Sequence, residues 1–92
     1  MKQNEDLLEP LDDMHTSVDV LVDMARAIVD HPLEITTTET DSMILVEVKP
    51  DSETKDGAKL CGSKGYVVGM FKQYASILTA RYPKIIQFEL NG

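Results

Sequence analysis

Apolar residues at Val18, Leu21, Val22, Ala25, Ile28 and Val29 recur every three or four positions, the spacing that lines one face of an α-helix. Thr16 or Ser17 offers a side-chain oxygen to cap its first amides. His31-Pro32 ends it, because proline drives the residue before it out of the α region. From Leu33 to Thr40 (LEITTTET) the period shortens to two and β-branched threonines dominate, which predicts a strand. Asp41-Ser42 signals a turn, and Met43 to Lys49 (MILVEVK) predicts a second strand, so the two form a hairpin. Pro50 stops that strand, and PDSETKDG reads as a polar loop. Ala58 to Cys61 supplies one helical turn before Gly62-Ser63-Lys64-Gly65. Apolar residues at 67, 70, 71, 74 and 78 then restore helical spacing and predict a long helix over Tyr66 to Arg81. Tyr82-Pro83 closes it, and Lys84 to Leu90 (KIIQFEL) predicts a last strand.

The predicted class is therefore α+β, with element order αββααβ. Strands with one apolar face need helices over that face, which implies a three-stranded mixed sheet covered on one side. The connection from the second strand to the third is long enough to make them parallel neighbours. This domain runs over residues 17–92. Residues 1–16 read as an appended acidic segment, mobile rather than docked. Pro10 interrupts it, and Leu7, Leu8, Leu11 and Met14 make only a weak stripe.

Composition excludes several classes. Hydrophobic residues make up 42% of the 92 positions, enough for one packed core. No run approaches the roughly 18 apolar residues of a membrane span, and the N-terminus lacks a signal-peptide core. A soluble cytoplasmic protein with no membrane partner is expected. Cys61 is the single cysteine, so neither an internal disulfide nor a cysteine-based zinc site can form. Without a histidine nearby in sequence it reads as a small core residue, not a nucleophile. His15 and His31 stand at a helix start and a helix end, as caps or surface residues and not metal ligands. No acid–base or nucleophile constellation supports an enzyme, and no cofactor or metal is implied. The segment GAKLCGSK has Ser63 before Lys64, the reverse of a nucleotide-binding phosphate loop.

Charge changes the picture by its distribution. The whole chain carries −7. Residues 55–84 hold Lys55, Lys59, Lys64, Lys72, Arg81 and Lys84 against Asp56 alone, a local balance of +5. A polyanion would be drawn there. Within that stretch, the glycines of Gly62-Ser63-Lys64-Gly65 permit a tight turn with positive φ and close approach of a phosphodiester. The amides of the helix that follows point toward such an anion, and Lys64 adds a cation.

The run Ala58-Lys59-Leu60-Cys61-Gly62-Ser63-Lys64-Gly65, placed in this element order, resembles a type II KH domain. The likeness covers residues 17–90 and is nearest to the small bacterial single-KH RNA-binding proteins. It implies a single-stranded RNA-binding module in which the loop holds backbone phosphates and an apolar groove accepts about four unpaired bases. Carried over, Gly62 and Gly65 become the loop glycines, Ser63 and Lys64 its solvent-facing tip, and Lys59 the upstream cation. Tyr66 directly after the loop is placed to stack on a base. Ile44, Val46, Leu60, Val67 and Val68 line the groove or the core beneath it. The chain departs from the family pattern at Cys61, usually isoleucine or valine, and at Tyr66, usually basic. Its acidity is also greater. The alternative is a KH-fold adaptor with weak or no RNA affinity, engaging a protein partner or a second copy of itself. Net charge and Tyr66 favour that alternative; Lys59, Lys64 and the local +5 favour RNA.

Overall fold

The computed structural model describes residues 10 to 91. Helix α1 spans Pro10–Ile28, strands β1 and β2 span Glu34–Glu39 and Met43–Lys49, and the short helix α2 spans Asp56–Cys61. A single 3-10 turn over Ser63–Gly65 leads into α3, Tyr66–Arg81, and β3 closes the fold over Ile85–Leu90. None of the described helices is long and apolar enough to cross a membrane.

Helix α1 begins earlier than its apolar spacing suggests, at Pro10 and not near Thr16. Proline breaks a helix interior, but at the first position its missing N–H has no intrahelical partner to lose. Met14 is fully buried and extends the stripe of Val18, Leu21 and Ala25 by one turn. Residues 10–16 thus belong to the folded domain, and its boundary moves from residue 17 to Pro10. Residues 1–9, with Leu7 and Leu8, lie outside the described residues.

The sheet order is β1-β2-β3, antiparallel on the first side and parallel on the second. The Asp41-Ser42 turn is closed by Thr40, whose hydroxyl oxygen accepts from the amides of Ser42 and Met43. Alternation along β2 buries Ile44, Val46 and Val48; Ile86 and Phe88 of β3 stand in register beside the first two. That face packs on the helices, through Leu60 of α2 and Phe71, Ala75 and Leu78 of α3. The rings of Phe71 and Phe88 meet with centroids 4.9 Å apart. Offset aromatic pairs of this kind add about 0.5–1.5 kcal/mol beyond their buried area. Glu47, Gln87 and Glu89 sit on the other face, so the core is one-sided.

Strand β3 is a free edge of the sheet, a hazard for uncontrolled strand pairing. Thr79 of α3 blocks its first outward-facing position. The Ile86 amide donates to the Thr79 hydroxyl at 2.8 Å, and the hydroxyl lies 3.1 Å from the Ile86 carbonyl. Thr79→Val keeps the shape but orphans a part-buried N–H, so a loss of about 1–3 kcal/mol is expected in denaturant unfolding.

Candidate functional site

The loop between α2 and α3 reverses the chain in four residues, and its backbone explains their identity. Gly62 stops α2 with φ 78° and ψ 173°, a conformation essentially restricted to glycine. Its amide still donates to the Ala58 carbonyl at 2.8 Å, completing the last turn. A Cβ on Gly62 would lie 2.4 Å from Val67 Cγ2 and 2.8 Å from the Val67 amide nitrogen, so the turn presses directly on α3. Gly65 is left-handed, with φ 77° and ψ 16°, and its amide donates to the Gly62 carbonyl at 3.2 Å. Between them Lys64 also adopts left-handed angles, φ 56° and ψ 24°. It is the sole non-glycine residue with positive φ among those described. That conformation costs an ordinary L-residue about 1–2 kcal/mol. Strain of this kind concentrates at functional sites.

Ser63 and Lys64 are exposed at the tip. Helix α3 starts behind them with no side-chain cap and no acidic residue in its first turn. The Tyr66 amide donates to the Ser63 carbonyl, but no side chain or carboxylate offsets the partial positive charge of this helix end, which favours an anion. Tyr66, the first residue of α3, is 72% exposed, with its ring available to a planar ligand.

The other candidates divide. Val67 and Val68 are half-buried beside the loop, whereas Ile44, Val46 and Leu60 are at most 1% exposed. Those three form the core beneath any groove and cannot line its surface. Lys59 is exposed in the last turn of α2, but its ammonium is ion-paired with the Asp30 carboxylate. The Asp30 hydrogen bond raises the Lys59 pKa above its ordinary value.

The basic stretch of sequence is not one surface patch. Lys84 donates to Glu39 at 2.6 Å and to the Thr40 carbonyl at 2.7 Å. Arg81 lies 5.8 Å from the centre of the Tyr82 ring. It stands at the far end of α3, about 22 Å from Tyr66 at about 1.5 Å per helical residue. Lys55, Lys64 and Lys72 have no ion pair with the described residues. The charge usable at the loop is thus much less than +5.

Sequence reading missed Asp56. It is 2% exposed, at the first position of α2, and accepts from the amides of Asp30 at 3.3 Å and His31 at 3.2 Å. His31 Nδ1 lies 3.0 Å from the same carboxylate. Burial pushes the Asp56 carboxyl up, but the Asp30 amide and His31 outweigh it and hold the pKa below the usual carboxylate value. Nothing local in the sequence marks this residue, because its donors lie at the end of α1. A second omission is on α3. Met70, assigned to the inward stripe by its spacing, is 56% exposed, and Ile77 is 55% exposed. With Tyr66 they make an uncharged outer face. Cys61 is half-buried, less enclosed than a core residue. A cleft of about 300 Å³ between α3 and β3, lined by Lys72, Thr79 and Phe88 among others, includes none of the loop residues.

No protein-family model, curated protein or solved structure matches this chain.

Proposed function

We propose that the protein is a non-enzymatic, single-stranded RNA-binding module of the type II KH kind. The observation that carries this reading is the Gly62–Gly65 turn. Its tip presents an exposed Lys64 in a strained left-handed conformation, directly in front of an uncapped helix N-terminus. The surrounding elements support it: a short helix, the turn, then a long helix, inserted between parallel neighbours β2 and β3, with the β1–β2 hairpin on the other side. In this reading the phosphodiester backbone sits against Gly62, Ser63, Lys64 and Gly65. Tyr66 stacks on a base, and Val67 and Val68 supply apolar contact beside it.

Few cations reach the loop, so about two to four phosphates are contacted and the log–log salt dependence is shallow. Single-stranded RNA is expected to bind better than a duplex of the same length, because the major groove of A-form RNA admits no side chains. Titration of a labelled RNA in both forms at two salt concentrations checks this. A preference for duplex, or no binding of either form, would remove the reading.

The exposed α3 face of Tyr66, Met70 and Ile77 favours a second reading, an adaptor that docks a protein through that face. Its signature is a stable complex or a doubled mass in solution with no RNA affinity.

A further inference from the structure

We propose that Asp30 sets the affinity of the loop by acting as an internal competitor for Lys59; this rests on the RNA-binding reading above. Lys59 lies in the last turn of α2, three residues before Gly62, where its ammonium would extend the cationic surface of Lys64. In the structure that ammonium is already held by the Asp30 carboxylate, just beyond the end of α1. A carboxylate offers the same anionic oxygens as a phosphodiester, so the two ligands compete for one cation.

The carboxylate is placed there by construction. The amides of Asp30 and His31 donate to Asp56, and Asp56 is buried in the first turn of the helix that carries Lys59. The backbone bearing Asp30 is therefore tied to α2, one turn below Lys59. The pair is solvent-accessible, with the Lys59 side chain 42% and the Asp30 side chain 66% exposed. Ion pairs so exposed are weak and exchange readily with other anions. Asp30 therefore lowers affinity without closing the site. Its removal frees a cation and also deletes a negative charge close to the incoming phosphate.

The test is fluorescence anisotropy with a labelled single-stranded RNA of about a dozen mixed-sequence nucleotides, at about 50 and about 200 mM salt. Four proteins are compared with the parent: D30N, K59Q, the double variant D30N/K59Q, and D23N as an exposed control on α1. At the lower salt D30N is expected to bind about two- to fivefold more tightly. Its log–log salt slope should be steeper by about 0.7, the contribution of one extra phosphate contact on a single strand. D23N should gain less, and in the K59Q background the gain from D30N should shrink to the part that its lost negative charge supplies, well below the gain in the parent. If the parent binds RNA but D30N binds no more tightly, or gains equally without Lys59, the role of Asp30 is overturned while RNA binding stands. If neither the parent nor any variant binds RNA, the RNA reading itself fails and the competitor role falls with it.

Discussion

Replacing Ser63 and Lys64 together by aspartate is expected to weaken single-stranded RNA binding by about 10- to 100-fold, with almost no change in melting temperature. Both side chains are exposed and make no side-chain hydrogen bond or ion pair to the described residues, so little folded-state interaction is lost. The backbone should tolerate the change. Aspartate enters the left-handed region more readily than lysine, which suits the angles at position 64. The effect on a ligand is large because the tip changes from one positive charge to two negative ones. At about 4 Å a unit charge interaction is about 1 kcal/mol in water and about 4 kcal/mol at the effective dielectric of a protein surface. Circular dichroism melting and anisotropy titration on the same samples separate folding from binding. If the double variant binds as well as the parent, the loop is not the contact surface.

The second large effect concerns stability and separates two glycines that look equivalent in sequence. Gly62→Ala is expected to cost about 3 kcal/mol or more, through two additive causes. Its φ and ψ lie in a region essentially closed to residues with a Cβ, worth about 1–3 kcal/mol. The new carbon would also overlap Val67, including backbone that cannot move without shifting α3, and overpacking adds about 1–3 kcal/mol. For a domain of this size a change of 3 kcal/mol lowers the melting temperature by about 12 °C or more. Gly65→Asn should cost about 1 kcal/mol at most. Its angles are plain left-handed, where asparagine is at home, and the nearest atom to a new Cβ is Val68 Cγ1 at 3.9 Å. Equal melting temperatures for the two variants would mean that the turn in solution differs from the one described.

Much of the fold was legible because its signals are local. The threonine-rich alternation of β1, the Pro50 stop after β2 and the stripe of α3 depend on neighbours a few residues away, and they place those elements closely. The start of α1 was not legible. Pro10 is a breaker inside a helix and a good first residue at its start, and only the burial of Met14 against the other elements decides between them. Met70 was misplaced for a related reason. α3 carries apolar residues on nearly every side, so spacing alone could not tell the packed face from the exposed one.

The same division runs through the candidate site. Two glycines around two small or flexible polar residues announce a tight turn between helices, and that depended on sequence alone. Which glycine is irreplaceable depends on Val67, brought against Gly62 only when α3 packs. The charge of the site was decided by the tertiary structure. Six cations fall within thirty residues of chain, but Lys84 is ion-paired with Glu39 and Lys59 with Asp30, and Arg81 stands at the far end of α3 from the loop. Chain proximity counts charges, whereas a Coulomb field falls with distance through space and is cancelled by partners from remote segments. Asp56 shows the rule most plainly: in sequence it is one acid among bases, and in the fold it is a buried clasp joining the end of α1 to the start of α2.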